Sequence, residues 1–361
     1  MIYLICFLLW LLGTWLIARF VLSGSDHSQF DSDLSAPHIQ LFEDSPEDAK
    51  VGAQFLSKIN AVRDSAEKTR SLKKGLAMVR EFADNLSADL VSDCEFTSVN
   101  INGLKAEWTI APGVDTKRRV LFCHGGAFAI GSPKGHRAFS HELSHMANAA
   151  VLSIDYGLMP ENGRMKSIKD AQAAYRWILD QGPSGNSPLE FFLVAGDSAG
   201  GNLALMLSSW SGQQGLRRPD GVIGFSPSLD MTAQSPTVRS NLKTDPILGR
   251  AFSLILTIPY MFAAWLQLFI MRMNTASPLA SPLFFELNDL PKTLIHASSS
   301  EILLGESVRY VNKARSQGSD VSLQVWKNQL HDWHLFNRGH GSANAAWAKV
   351  QEFIDSLPSK N

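Results

Sequence analysis

The chain has 361 residues, of which 45% are hydrophobic and 19% charged, and its formal net charge is −1 at pH 7. This composition is sufficient to bury a substantial core, and a charge so close to zero gives no field that would attract nucleic acid. Cys6, Cys94 and Cys123 suggest neither a disulfide framework nor a Cys-x-x-Cys metal site. We therefore expect a globular protein with no metal, no cofactor and no nucleic-acid partner.

The chain begins with an apolar segment in which residues 2–22 carry one charge, Arg19. As a helix this segment would be about 31 Å long, close to the roughly 30 Å hydrocarbon core of a bilayer. We predict that residues 1–23 form an uncleaved membrane anchor, because a signal peptide usually has a basic start and a shorter apolar run. A cleaved signal ending near residues 23–25 is the alternative. Arg19 weakly favours a cytoplasmic position for the following chain, and the side of the membrane stays open.

Two further regions precede the core of the chain. Residues 24–48 are acidic and Ser-rich, which predicts a polar linker. Between residues 49 and 90, apolar residues recur at helical spacing, which predicts helices of a cap over an active site. The apolar positions are Phe55, Ile59, Val62, Leu72, Leu76, Val79 and Phe82. We expect residues 49–361 to form one domain, with 235–275 as the second part of the cap.

The remaining chain alternates apolar strands with amphipathic helices. Strands are predicted at 105–111, 119–123, 149–154, 191–195, 220–225, 293–298 and 321–326. Helices are predicted at 136–148, 167–181, 199–212, 302–317 and 342–356. The alternation predicts an α/β fold with a mostly parallel central sheet and helices on both faces.

Strand 191–195 leads into the sequence GDSAG, in which Ser198 is the central residue. Gly-x-Ser-x-Gly after a strand and before a helix is typical of a nucleophile elbow. Gly196 and Gly200 would leave room for a sharp turn that holds Ser198 in a strained conformation at the end of the strand. Gly-x-Ser-x-Gly also occurs by chance in ordinary loops. The prediction therefore depends on whether the chain also contains an oxyanion loop, a base and an acid.

Strand 119–123 leads into a second glycine-rich turn, His124-Gly125-Gly126-Ala127. Attack of a serine on a carbonyl builds negative charge on the carbonyl oxygen, and fixed backbone N–H groups stabilise that charge. We expect Gly125, Gly126 and Ala199 to form this oxyanion hole, with Ala127 as a further candidate. Cys123, inside the strand, is expected to be a core residue.

A serine nucleophile needs a histidine base, and four histidines follow Ser198. His331 follows strand 321–326 after a short loop, which predicts that it is the base. His334 is the alternative, since it lies about one helical turn later. His296 lies within an apolar strand and is expected to pack in the core. His340 is the fourth.

The histidine in turn needs an acid that orients it and stabilises its protonated form. Glu301 follows strand 293–298, 30 positions before His331, which places it at the carboxyl end of the sheet. Glu306 lies within a predicted helix, and Asp320 lies at the other end of a strand. We therefore predict Glu301 as the acid and interpret Glu306 and Asp320 as solvated charges.

Residues 251–271 contain no charged side chain and are long enough to span a membrane. A crossing here would place Ser198 and His331 on opposite sides of the membrane. We therefore predict a cap element, broken near Pro259, whose apolar surface lines an acyl pocket or lies in the membrane interface. A buried helix pair is the alternative.

From about residue 100 onwards the chain resembles the hormone-sensitive-lipase-like branch of the α/β-hydrolases, which includes bacterial acetyl-esterases and arylacetamide deacetylases. The matching stretches are HGGAF (124–128), DYGLMPE (155–161), GDSAGGN (196–202), ASPL (280–283) and LHDW (330–333). The resemblance implies an α/β-hydrolase fold with a helical cap, and Ser198, Glu301 and His331 as the triad. It also implies a serine carboxylesterase that acts on short-to-medium acyl esters.

The chain departs from the family pattern at three positions. Ala127 replaces the usual third glycine of the oxyanion loop, which is tolerable if its φ is negative. Glu301 replaces the usual aspartate, and Gly157 replaces the usual arginine, so we expect some contacts that brace the loop to be missing.

These expectations favour a membrane-anchored enzyme that takes lipophilic small-molecule esters. The alternatives are a deacetylase or acyltransferase on amide, lipid or glycan substrates, and a non-catalytic relative that binds a small ligand. The sequence does not indicate whether the protein forms oligomers.

Overall fold

A computed structural model of the chain describes residues 2–32, 34–336 and 339–358. Met1 and residues 359–361, the outer ends of the predicted anchor and main domain, lie outside these ranges. The described strands are β1 (Ile39–Phe42), β2 (Glu95–Ile101), β3 (Leu104–Ile110), β4 (Asp115–Cys123), β5 (Ala149–Asp155), β6 (Gln181–Gly182), β7 (Gly185–Asn186), β8 (Phe191–Asp197), β9 (Gly221–Phe225), β10 (Thr293–Ser298) and β11 (Val321–Trp326).

Twelve α-helices lie within the described residues. They are α1 (Ile2–Ile17), α2 (Asp48–Lys68), α3 (Leu72–Asp84), α4 (Arg137–Ala147), α5 (Arg164–Ile178), α6 (Ser198–Gln213), α7 (Thr237–Ser240), α8 (Gly249–Leu256), α9 (Tyr260–Met271), α10 (Leu304–Ser316), α11 (Trp333–Phe336) and α12 (Gly341–Asp355). The five helices predicted between residues 136 and 356 are all present, with ends that differ by up to three residues.

The central sheet has nine strands among the described residues, in the order β1-β11-β10-β9-β8-β4-β5-β3-β2. The neighbours β3 and β5 and the neighbours β2 and β3 are antiparallel, and the other pairs are parallel. The predicted α/β fold with a mostly parallel sheet is therefore confirmed.

Both faces of the sheet are buried under helices. Along β4, Leu121 and Cys123 pack into the cluster that includes residues of α5, α6 and α10. Val120 and Phe122 point to the opposite face and pack with residues of α4 and α12. The period of two along the strand thus supplies apolar side chains to both layers, and Cys123 is a core residue as expected.

Strand β2 is absent from the sequence-based prediction. It forms a hairpin with β3 through Asn102 and Gly103, whose φ values are 50° and 96°. Asn-Gly is the dipeptide that favours this two-residue turn, since both positions need a positive φ. The turn signal was therefore present in the sequence, although β2 itself alternates only weakly between buried and exposed side chains.

Residues 24–48, expected to be a linker, are attached to the main fold. β1 pairs in parallel with β11 at the edge of the sheet. Before it, Asp31 forms an ion pair with Arg309 of α10, and His38 Nε2 lies 2.7 Å from Asn312 Oδ1. The linker prediction therefore fails for this segment, because a four-residue strand without distinctive composition gains its order from the neighbouring edge.

The apolar segment at 251–271 forms the two short helices α8 and α9, with Pro259 at the start of α9. The predicted break is present. α9 has 12 residues, about 18 Å of helix, which is too short to cross a bilayer. Its Ala264 packs with Ala18 and Leu22, and the Trp265 indole donates a 3.3 Å hydrogen bond to Thr14 O.

Among the described residues, one helical stretch, Ile5–Leu22, is long and apolar enough to cross a membrane. Its mean hydropathy is 2.1 and 11% of it is buried. Its position near the N-terminus is shared by signal sequences, so composition alone does not separate an anchor from a leader.

Candidate active site

The predicted site residues come together at one edge of the sheet. Ser198 follows β8, Glu301 follows β10 and His331 follows β11, while the turn at 124–128 follows β4. These four strands run parallel, so their carboxyl ends meet at the same edge. Clefts at this edge are where open α/β sheets bind ligands.

Ser198 occupies a sharp turn between β8 and α6. Its φ is 51°, the left-handed conformation that costs a non-glycine residue about 1 kcal/mol or more. A Cβ at Gly196 would overlap the backbone of Gly200, and a Cβ at Gly200 would overlap Cys123 O. The two glycines are therefore required by the turn, as the sequence predicted.

Ser198, His331 and Glu301 form a continuous chain of hydrogen bonds. Ser198 Oγ lies 2.9 Å from His331 Nε2, and Glu301 Oε2 lies 2.7 Å from His331 Nδ1. All three side chains are buried, with Ser198 retaining 8% exposure. A neutral ring that donates its Nδ1–H to Glu301 presents an unprotonated Nε2 to Ser198, which is the tautomer that a general base needs.

The acid and the histidine loop are held by further hydrogen bonds. Glu301 Oε1 accepts the Ser298 N–H at 2.8 Å, and Ser298 Oγ donates to Gln329 O at 2.6 Å. Gln329 Nε2 donates to Asp48 Oδ2 at 2.9 Å. The loop that carries His331 is thus fixed both to β10 and to the first residue of α2.

Asp332 is a further carboxylate beside His331, the predicted base, and it was not among the predicted site residues. Its Oδ2 lies 3.1 Å from His331 Nε2, the same nitrogen that faces Ser198. Burial lowers the pKa of His331, but contact with Asp332 and Glu301 outweighs this, and the pKa is raised well above its usual value. Burial raises the pKa of the Asp332 carboxyl, and the charge of His331 lowers it by a smaller amount. The protonation states of His331 and Asp332 are therefore linked beside Ser198.

The turn at 124–128 differs from the expected oxyanion loop in one donor. Gly125 N–H donates a buried 2.9 Å hydrogen bond to Asp197 Oδ1, so the expectation that Gly125 stabilises an oxyanion is wrong. A Cβ at Gly125 would overlap the same carboxylate. His136 Nε2 lies 3.3 Å from Asp197 Oδ2. Asp197, the residue before Ser198, thus fastens the loop. Its partner is a backbone N–H, which every residue except proline has, so the sequence does not predict this contact.

The backbone of the loop is left-handed over three residues. The φ values of Gly126, Ala127 and Phe128 are 111°, 53° and 59°. The condition of a negative φ at Ala127 is therefore not met. Ala127 is exposed, so its methyl group does not collide with neighbouring residues. Its cost is the backbone strain of a positive φ in a residue with a Cβ.

The bracing expected to be missing at Gly157 comes from other residues. Arg80 of α3 donates to Ala129 O and to Met159 O, each at 2.9 Å, and pairs with Glu161. The buried Arg164 guanidinium lies 3.7 Å from the centre of the Phe128 ring. Both arginines contact residues that are distant in the sequence, so no local motif predicts these contacts.

The alternative residues are accounted for by other contacts. His296 is fully buried in β10, as expected, and its Nδ1 lies 2.9 Å from His334 Nε2, which places His334 in the core. Asp320 is exposed and pairs with Arg315. Glu306, expected to be solvated, is buried and accepts the Asp230 N–H. That expectation was wrong because the face of α10 that carries Glu306 packs on the loop after β9.

A serine at a strand-to-helix turn, with a histidine and an acid from later strands at the same edge of a parallel sheet, defines an α/β-hydrolase. The chain belongs to the alpha/beta hydrolase fold family, whose model matches residues 120–335. It is 32% identical over 259 residues to an esterase of Acinetobacter venetianus, covering 72% of this chain and 81% of that protein.

Two further comparisons agree on the branch of the family. The chain is 31% identical over 240 residues to an acetyl-hydrolase of Streptomyces hygroscopicus, covering 66% of this chain and 75% of that one. It superimposes on the crystal structure of an esterase from the bacterial hormone-sensitive lipase family with a TM-score of 0.71 and 29% identity. That match covers 87% of this chain and 98% of the esterase. The resemblance read from the motifs is therefore confirmed.

Proposed function

We propose that this chain is a serine carboxylesterase that transfers the acyl group of an ester to water. Ser198 Oγ attacks the carbonyl carbon while His331 Nε2 takes the hydroxyl proton and returns it to the leaving alcohol. Glu301 stabilises the imidazolium that forms. The observation that carries the proposal is the chain Ser198 Oγ to His331 to Glu301, with separations of 2.9 and 2.7 Å. Relatives named esterase and acetyl-hydrolase support the same reaction.

The oxyanion donors in this proposal are the backbone N–H groups of Ala199, Gly126 and Ala127. Ala199 lies in the first turn of α6, where N–H groups have no partner within the helix and the helix dipole favours negative charge. Gly126 and Ala127 belong to the loop that Gly125 fastens to Asp197. Each such donor is typically worth about 10²–10³ in rate.

The substrate class in this proposal is lipophilic esters with short-to-medium acyl chains. The same three side chains could also cleave an acetyl amide, or pass the acyl group to a lipid or glycan acceptor. Non-catalytic ligand binding is disfavoured, since the hydrogen-bonded base and acid would then have no use.

We also propose that residues 1–23 anchor the enzyme in a membrane. The turn after α1 packs on α9, Thr14 of α1 accepts a hydrogen bond from Trp265 of α9, and α8 and α9 carry exposed apolar side chains. These are Leu254, Phe262, Leu266, Phe269 and Ile270. An exposed apolar surface next to an apolar helix favours contact with a membrane over a soluble leader. The intact mass of protein extracted from membranes tests this: loss of about the first 23 residues would identify a cleaved signal.

The enzymatic proposal is tested by hydrolysis of p-nitrophenyl esters, acetate to laurate, by the detergent-solubilised chain. We expect turnover that is greatest for acyl chains shorter than laurate and that is abolished in Ser198→Ala. The matched control is Ser65→Ala, an exposed serine on α2. Full activity in Ser198→Ala would refute the mechanism. Absence of turnover in a folded parent protein would favour acyl transfer to a special acceptor or ligand binding.

A further inference from the structure

The turn before β2 and the outer face of α4 bring together four side chains of the kinds that bind metal ions. Asp93 and Cys94 lie immediately before β2, and His141 and His145 lie one turn apart on α4. Residues four positions apart share one face of a helix. None of the four takes part in the proposed acyl transfer, so the cluster needs a separate explanation.

The ligand atoms lie close to the separations of a four-coordinate ion. Cys94 Sγ is 3.3 Å from His141 Nδ1 and 3.8 Å from His145 Nε2. Asp93 Oδ1 is 2.9 Å from His145 Nε2 and 4.0 Å from His141 Nδ1. A tetrahedral zinc ion with bonds of about 2.0–2.3 Å requires ligand atoms about 3.3–3.6 Å apart. All four ligand atoms lie within 4.8 Å of one another, and Cys94 Sγ is 3.9 Å from Asp93 Oδ1. Side-chain rotations that shorten the longer separations by about 0.5–1.5 Å would enclose an ion.

We propose that Asp93, Cys94, His141 and His145 form a binding site for a zinc-like divalent ion. A thiolate, two imidazoles and a carboxylate suit a borderline-soft ion such as zinc. Magnesium and calcium are bound by oxygen ligands instead. This site departs from our expectation, from the sequence, of no metal.

The sequence contains a signal for this site that its cysteine spacing does not reveal. Residues 141–145 read His-Glu-Leu-Ser-His, the His-Glu-x-x-His spacing in which two histidines on one helical face bind zinc. In hydrolytic zinc sites one position is left open for water. Here Asp93 and Cys94 supply the third and fourth ligands from the chain itself, so the site fits a structural ion rather than a second catalytic centre.

The surroundings show how an ion would enter and what it would hold. Cys94 is buried, while the Asp93 side chain is 56% exposed and opens the cluster to solvent. Ser92 Oγ accepts the Cys94 N–H and lies 2.9 Å from His141 Nδ1. Binding of an ion by Nδ1 would break the contact between Ser92 and His141. The ion would tie the connection between α3 and β2 to α4, joining the cap helices to the sheet.

The test uses cobalt as a spectroscopic substitute for zinc in the full, detergent-solubilised chain after chelation. We expect about one cobalt ion per chain with the intense visible bands of four-coordinate cobalt and a thiolate-to-cobalt band in the near ultraviolet. Cys94→Ser should lose the thiolate band, and His145→Gln should weaken binding at least tenfold. Cys6→Ser and His340→Gln are the matched controls, since both parent residues are exposed and outside the cluster.

Stability gives a second readout that does not depend on ester hydrolysis. At zinc concentrations about 100 times the dissociation constant, the unfolding temperature of the parent chain should rise by several degrees. The rise should be about half as large or less in Cys94→Ser and in His145→Gln. The parent side chain of His145 is exposed, which makes loss of folding a poor explanation for that variant. A thiolate band that persists in Cys94→Ser, or equal zinc stabilisation of the parent and both variants, would overturn the proposal.

Discussion

His331 and His334 lie three residues apart, are both buried, and have opposite electrostatic surroundings. His331 contacts the carboxylates of Glu301 and Asp332 and faces a hydroxyl group. His334 contacts His296 and lies among aromatic rings, including those of Trp333 and Phe225.

This difference favours His331 over His334 as the proposed base. Burial and the neighbouring His296 lower the pKa of His334 well below its usual value, so its ring stays neutral and packs as part of the core. The carboxylates beside His331 outweigh burial and raise its pKa. A buried histidine therefore exchanges protons only where acids compensate for lost hydration.

The largest expected effect separates the two histidines directly. His331→Gln should lower kcat for a p-nitrophenyl ester by roughly 10⁴ or more, because the serine loses its base. His334→Gln should retain activity within about tenfold, since it alters packing alone. Steady-state kinetics measure both, with circular dichroism as the check on folding. An equally inactive but folded His334→Gln would break the comparison.

The next effect concerns the acid beside His331. Glu301→Gln should lower kcat by about 10²–10⁴, because an amide cannot stabilise the imidazolium and can favour the wrong tautomer. Glu306→Gln is the matched control: its carboxyl is buried, accepts the Asp230 N–H and has a pKa raised by burial. Parent-like kcat in Glu301→Gln would assign the orienting role to another group.

A smaller effect should appear in the pH profile. The negative charge of Asp332 raises the pKa of His331, and catalysis requires the unprotonated ring. Asp332→Asn removes that charge, so the pKa of His331 falls and activity persists to lower pH. We expect the acid limb of kcat/KM to move by about one unit.

Asp320→Asn, at an exposed carboxylate paired with Arg315, should leave the acid limb unchanged. A limb that stays in place in Asp332→Asn, or moves to higher pH, would show that Asp332 does not control the base.

The smallest effect concerns stability in acid. Burial lowers the pKa of His296 to about 3 and that of His334 well below 6.5. Below pH 6.5 the unfolded chain binds protons that the folded chain excludes, so stability is complete above this pH and falls as pH decreases. Below pH 6.5, each of the two histidines should lower the free energy of unfolding by about 1.4 kcal/mol per pH unit.

Replacing both His296 and His334 with glutamine should therefore flatten the fall in the free energy of unfolding between pH 6.5 and 5, whatever its effect at pH 7. Denaturant titration at several pH values measures the slope. An unchanged slope would mean that other groups, such as the buried His124, dominate acid sensitivity.

The parts of the site that could be predicted are those fixed by local backbone geometry. Gly196 and Gly200 indicate the turn because it excludes any Cβ. His331 and Glu301 were predicted to lie together because each follows a predicted strand at a shared edge. The role of Asp197 toward Gly125, the clamp from Arg80 and the contact of Asp332 with His331 depend on distances through space. Such contacts leave no periodic signal in the sequence.

The same limit explains the errors in the fold. β1 is short and polar at its flanks, so its order comes from β11 rather than from its own residues. Glu306 was read as solvated because a helix pattern indicates a face but not what packs on it. Conversely, the Asn102-Gly103 turn and the His141–His145 spacing were local signals that could have been read.

The edge position of β1 determines how the chain can be shortened. Residues Ile39–Phe42 cover the backbone of β11 along Leu323–Trp326. A truncated protein that begins at residue 49, the start of the domain expected from sequence, would leave β11 as a bare outer strand able to pair with another molecule. It would also lose Asp48, to which Gln329 of the histidine loop is bound. A soluble fragment should therefore begin between residues 24 and 31, so that removing the apolar helix does not create an aggregating edge.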